Sequence, residues 1–191
     1  MRVKDEEKQQ ALFEATIKLV NEIGFVSSSV AKIAKEANVS PATLYIYHEN
    51  KVDLLVNTYL QIKKSLSLAI LEDFAPEVGV KKGLKLVWRN MFQYISKHND
   101  YFQFTEQFSN CPYASLINKE EVDSYFLPVL ILIEKGIKDK IIKDIDFDMI
   151  ICFLVAPVLH LANPKICCNF VVNEESINIG FELAWDAISC N

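Results

Sequence analysis

Apolar residues recur along this chain at three- and four-residue intervals, and short polar or proline-bearing breaks separate the recurrences. Leu12, Ala15, Leu19, Val20 and Ile23 fall at i, i+3, i+7, i+8 and i+11, which predicts one face of an amphipathic helix. Gly24 stands where a helix ends with a left-handed residue. Ser27, Ser28 and Ser29 offer N-cap oxygens for a short second helix over 30–37. Asn38, one of the few non-glycine residues that tolerates positive φ, can close it and turn the chain. Ser40 caps a third helix over 41–47, with Pro41 at its first position, where a missing N–H costs nothing. Further helices are expected over 51–73, 77–97, 101–109, 118–138, 146–162 and 174–189. Pro76, Asn99-Asp100, Asn110-Cys111-Pro112, Lys143-Asp144 and Asn163-Pro164 mark the breaks between them. Pro128 and Pro157 fall inside two of these segments, where each should kink the helix or shift its boundary.

The first three helices make a unit of the helix-turn-helix kind: two short helices joined by a tight turn behind a longer one. Ala34, Ala37, Val39 and Leu44 are small or compact, as helices crossing steeply near a turn require, and Ile33 fills the space beneath. Spacing alone leaves an ordinary helical-bundle corner equally open.

The individual residues decide between these. Segment 12–60 carries Ala15, Gly24-Phe25, Ser29-Val30, Ile33-Ala34, Ala37, Val39-Ser40, Thr43-Leu44-Tyr45, Tyr47, Lys51 and Leu54-Leu55. In these positions it resembles the N-terminal domain of the TetR family of transcriptional regulators. The resemblance covers about a quarter of the chain. It departs from the family pattern at Asn38 (commonly Gly), Ala42 (often Gly), His48 (usually an aromatic) and Ala31, where some members place a longer base-reading side chain. The resemblance implies an all-α, two-domain protein. A three-helix DNA-binding domain over 1–50 would be joined to a helical ligand-binding and dimerisation domain over 51–191, with the helix at 51–73 as the lever between them.

By that resemblance the third helix enters the major groove of double-stranded DNA. It holds no Arg, Lys, Asn or Gln, so the usual bidentate base pairings are absent. Pro41, Ala42 and the Thr43 methyl are left for thymine methyl groups, with the Thr43 and Tyr45 hydroxyls beside them. Tyr45, Tyr47 and Lys51 read as phosphate anchors, with Ser29, Lys32 and Ser40 next to two helix N-termini that attract anions. For Tyr47 a core position is equally open, and His48 reads first as packing at the end of the third helix. Arg2, Lys4 and Lys8 are candidate phosphate contacts from a flexible arm, opposed by the Asp5-Glu6-Glu7 run.

The 51% hydrophobic content suits a real core and excludes general disorder. Only 5 Gly and 6 Pro argue against a turn-rich β fold. The net charge of −5 excludes a strongly basic nucleic-acid binder as a description of the whole chain. Residues 1–64 nevertheless carry 9 Lys/Arg against 8 Asp/Glu, a less acidic head on an acidic body. No targeting segment is visible. The longest apolar run, Met149–Leu159, has 11 residues where a bilayer span needs roughly 20. A soluble, cytoplasmic protein with no membrane partner is expected. Five cysteines without a Cys-x-x-Cys spacing suit a reduced compartment, and Cys167-Cys168 reads as ordinary rather than redox-active.

Two further surfaces follow. Met149–Leu159 leaves little polar face, so burial on both sides is expected. Phe181, Ala184, Trp185 and Ile188 form a stripe on the final helix, with Ala184 small enough for a partner helix to approach. The resemblance implies a homodimer through these last two helices; burial within the monomer is the other reading. The stretch 88–126 is rich in aromatics, and Trp88, Phe92, Phe104, Phe108 and Tyr125 are the candidates to line a pocket for a small hydrophobic effector.

No Gly-x-Ser-x-Gly, phosphate-binding glycine loop or His-Glu-x-x-His is present, and the three histidines stand far apart. No enzyme, metal or cofactor is expected. The expected function is sequence-specific DNA binding, as a repressor released from a palindromic operator by the effector. Two rivals stand beside it: a helical ligand-binding protein that has lost DNA binding, and a helical enzyme using the aromatic cavity.

Overall fold

The computed structural model describes residues 2–75, 77 and 79–190, and for residues 2–4 the backbone alone. Pro76 and the side chains of Arg2 and Lys4, named above, lie outside the described residues. Ten α-helices and one short 3-10 turn are present among the described residues, and no strand beyond an isolated bridge between Ile142 and Ser189.

In chain order, α1 (Arg2–Ser27) precedes the helix-turn-helix pair α2 (Val30–Glu36) and α3 (Pro41–Tyr47), and α4 (Lys51–Ile70) follows. Next come α5 (Val80–Lys97), α6 (Asn99–Ser109), the 3-10 turn Pro112–Leu116 and α7 (Lys119–Tyr125). The chain continues through α8 (Leu127–Lys138), α9 (Phe147–Leu161) and α10 (Glu174–Ile188). The helix expected over 118–138 is two helices, because Pro128 stands in the first turn of α8, where its missing N–H is harmless. Pro157, in contrast, stays inside α9. The helical backbone of α1 already begins at Arg2, so the flexible basic arm is not observed.

Compactness does not divide the chain after residue 50. One unit comprises Met1–Lys63 together with Asp100–Lys119, and the other Lys64–Asn99 together with Glu120–Asn191.

The first unit has two apolar clusters. Leu12 and Ala15 of α1, Ile33 of α2, Ala37, Leu44 of α3 and Leu54 of α4 make the smaller one, which fixes the crossing of α2 and α3. Phe13, Ile17 and Val20 on the neighbouring stripe of α1 pack with Leu55 and Ile62 of α4 and with Phe104 and Phe108 of α6.

In the second unit α5 packs on α8, α9 and α10. The Trp88 indole N–H donates to the Ile177 carbonyl of α10 at 3.2 Å, and its ring meets Phe181 edge-on at 5.8 Å between centroids. The segment after α8 closes the end of α10: Lys143 donates its backbone N–H to Ile188 O at 2.8 Å and its ammonium to Ala187 O at 2.7 Å. Terminal helix carbonyls thereby find partners. Helix α8 approaches so closely that a Cβ on Gly136 would stand 2.6 Å from Ile142 Cδ1 and 2.9 Å from Val80 Cγ1. Gly136→Ala is therefore expected to destabilise the fold by about 1–3 kcal/mol through overpacking, read as a lower denaturant midpoint. An unchanged midpoint would show that these side chains move aside without strain.

Among the described residues no helix is long and apolar enough to cross a membrane. No group of three His, Cys, Asp or Glu among them is placed to hold a metal ion.

Candidate nucleic-acid interface

Local chemistry sets the turn. Gly24 has φ 75° and ψ 169°, which breaks the helical path of α1, and the Ser28 hydroxyl donates to its carbonyl at 2.7 Å. Ser29 then caps α2 by accepting the Lys32 N–H at 3.3 Å. At the other end, Asn38 takes φ 53°, and the Val39 N–H returns to Ala34 O at 2.9 Å, an αL helix stop with asparagine in the usual glycine's place. Ser40 caps α3 by accepting the Thr43 N–H at 3.1 Å, and its hydroxyl lies 2.9 Å from that of Thr43. Both caps sit where the sequence puts them.

With Leu44 fully buried, the opposite face of α3 is left bare. Pro41 and Ala42 are exposed, Tyr45 is 56% exposed and Ile46 73%. Ile46 was not singled out from sequence. It falls one residue past Tyr45 and four past Ala42, so helical geometry alone places it on the same outward face. Lys32 is exposed on α2 and donates to the Ser27 carbonyl at 3.0 Å.

Two residues have distant partners that short-range spacing does not reveal, and a third pairs locally. The Tyr47 hydroxyl donates to Asp5 Oδ1 at 3.1 Å; burial, then this bond, holds it above the ordinary tyrosine range. The Lys51 ammonium donates to the Phe25 carbonyl at the end of α1, and burial lowers its pKa. His48 is half-buried, with Nδ1 3.2 Å from Asp53 Oδ2, so it packs at the end of α3 as read first. Tyr47 and Lys51 thus tie α3 and α4 to the two ends of α1.

The five aromatics named for an effector pocket do not gather. Trp88 and Phe92 are buried side by side in the second unit, with ring centroids 6.1 Å apart. Phe104 and Phe108 are fully buried in the first unit's core, where Phe108 stacks on Tyr59 at 4.6 Å. Tyr125 is half-buried and donates to Glu121 at 2.7 Å.

The stripe Phe181, Ala184, Trp185 and Ile188 is buried within the chain, so it is not a free surface for a partner. It packs inward because its large rings meet α5: Lys85 lies over the Phe181 ring and Lys81 over that of Trp185, while both lysines bridge Glu182. The outward side chains of α10 include Ile179, 56% exposed, and Leu183, 69%. Helix α9, expected to be buried on both sides, is buried on one: Ile150, Leu154 and Val158 face inward, while Met149 and Phe153 are 56% and 49% exposed.

Two capped short helices crossing at an αL turn, the second with a bare outer face, define the class of helix-turn-helix DNA-binding proteins. A family model of bacterial regulatory proteins, tetR family, matches residues 12–58, and one of the tetracyclin repressor-like C-terminal domain matches residues 80–189. The chain belongs to the TetR family of transcriptional regulators.

It is similar over its full length to a TetR family transcription regulator from Marinobacter aquaeolei VT8, with 31% identity, 100% of both chains covered and a TM-score of 0.92. An uncharacterised helix-turn-helix-type transcriptional regulator of Haemophilus influenzae is 21% identical over 188 residues, 98% of this chain and 99% of its own. The FadR transcriptional regulator of Bacillus subtilis, solved in complex with stearoyl-CoA, has a similar fold at 20% identity and a TM-score of 0.69, covering 94% of this chain and 98% of its own. These relatives are regulators of transcription, not enzymes.

Proposed function

We propose that the protein is a repressor that binds a palindromic operator as a homodimer and is released by a small hydrophobic effector. The observation that carries the DNA-binding reading is the bare face of α3, where Tyr45 and Ile46 stand in water on a helix whose other side is locked by Leu44. In the major groove that face would lay Pro41, Ala42, Ile46 and the Thr43 methyl on thymine methyl groups. Ser29, Ser40 and Lys32 would lie along the phosphates. Tyr47 and Lys51 would reach phosphate only by giving up Asp5 and the Phe25 carbonyl, so their first duty is to hold α1, α3 and α4 in register.

The test is fluorescence anisotropy of labelled DNA from upstream of the protein's own gene, across a salt series. Tight binding that weakens with salt and saturates at two chains per site supports the reading; equally weak binding to every sequence overturns it. Lys32→Ala is expected to lower the slope of log affinity against log salt by about 1, as for one lost phosphate contact. Tyr45→Ala is expected to weaken binding about tenfold to operator and non-operator DNA alike, as for a lost phosphate anchor.

The proposed dimer surface is the outward face of α9 and α10, with Met149, Phe153, Ile179 and Leu183 at its centre. A monomer seldom leaves such a row of large apolar side chains in water. The proposed effector region is the second unit, where Trp88, Phe92 and Tyr125 stand. Support comes from its apolar composition and from the stearoyl-CoA held by the Bacillus subtilis relative. Both tryptophans, Trp88 and Trp185, belong to this unit, so their fluorescence reports on it. Saturable quenching by a long-chain acyl compound, with loss of operator binding over the same range, is the expected result. Quenching without DNA release would separate ligand binding from regulation.

A further inference from the structure

The first unit contains a cleft of about 670 Å³, between the end of α1 and the α6–3-10 corner. Its walls are apolar: Phe25 and Val26 on one side and Tyr113 on the other, with Val26 left 95% exposed. Its polar groups come from Glu106, Gln107 and Asn110. Glu106 carries the one formal charge among the lining residues, and its carboxylate has no ion-pair or hydrogen-bond partner among the described residues. The Gln107 amide nitrogen donates to Asn21 Oδ1 at 3.1 Å, and that of Asn110 to the Glu106 carbonyl at 2.9 Å. Each amide thus spends a donor within the protein, and its oxygen has no partner among the described residues. A carboxylate and two amide oxygens without partners among the described residues make the lining rich in acceptors, and no Lys, Arg or His is among the lining side chains.

We propose that this cleft binds a small organic ammonium ion, its N–H donors taken by the Glu106 carboxylate and the amide oxygens, and its apolar body laid against Phe25, Val26 and Tyr113. The rings of Phe25 and Tyr113 add the attraction of an aromatic face for a cation. The site goes beyond the repressor reading and does not depend on it. It also touches the joint of the DNA-binding unit: Phe25 packs edge-on against Phe104 at 5.7 Å, and its own carbonyl is the acceptor for Lys51.

The probe is 2-phenylethylammonium, titrated into the full-length 15N-labelled protein at neutral pH and followed by amide chemical shifts. Neutral 2-phenylethanol is the matched control. The expected result is a saturable set of shifts centred on residues 25–26 and 106–113. Binding of the amine should be about fivefold to tenfold tighter than that of the alcohol, since one exposed ion pair plus a cation–π contact contribute little more. Glu106→Gln, an exposed and isosteric change, should remove that preference and leave the alcohol's affinity unchanged. Tyr113→Ala should weaken both compounds. Equal affinity for amine and alcohol, an amine affinity indifferent to Glu106→Gln, or shifts centred elsewhere in the chain would each overturn the proposal.

Discussion

Glutamate at both Phe153 and Leu183 is expected to leave the chain folded but monomeric and to lower operator affinity by about 100-fold or more. Both side chains point outward, 49% and 69% exposed, while the inward faces of their helices keep Ile150, Leu154 and Val158, and Ile177, Phe181 and Trp185, in the core. The substitutions therefore leave those inward faces intact. In a dimer seated on this face they would desolvate four carboxylates with no partner in view, a cost of several kcal/mol that the interface does not repay. Operator binding then suffers because two heads joined in one particle see each other's half-site at high effective concentration, and separate heads do not. Sedimentation gives the mass and anisotropy the affinity. A double variant that still sediments as a dimer would show that the pairing surface lies elsewhere.

Trp88→Ala is expected to cost about 3–5 kcal/mol of stability, the range for removing a large aromatic from a core. Trp88 is 1% exposed and touches three neighbours at once: Phe92, the Phe181 ring and the Ile177 carbonyl that takes its N–H. Alanine leaves a cavity at the junction of α5 and α10. Urea unfolding followed by circular dichroism, and by the remaining Trp185 fluorescence, measures the loss. A cost under about 1 kcal/mol would mean that the second unit collapses around the gap.

What could be read in advance was local. Ser29 and Ser40 as caps, Asn38 as a left-handed stop and Pro41 at a helix start each act within four residues, and the third helix spans the expected 41–47. Residues that depend on distant partners were not legible. Tyr47 meets Asp5 and Lys51 meets Phe25, across 42 and 26 positions, and no periodicity encodes such a pairing. The aromatic stretch 88–126 looked like one region because its residues are alike. In space it splits, since Phe104 and Phe108 share a helix face that closes over Phe13 and Ile17. On α10 the strong stripe of Phe181, Ala184, Trp185 and Ile188 hid the weaker one at Ile179 and Leu183. An amphipathic pattern says that a face will be covered, not whether the cover belongs to the same chain.

The return of residues 100–119 to the first unit limits how freely this DNA-binding head can be exchanged. A fragment ending at residue 50 forfeits Leu54 and Leu55, and one ending at residue 63 still strips Phe104 and Phe108 from Phe13, Ile17 and Val20. Neither cut keeps both apolar clusters whole. A chimera that grafts this head onto another effector domain must carry the α6 corner with it, or rebuild that patch from the recipient's own aromatics.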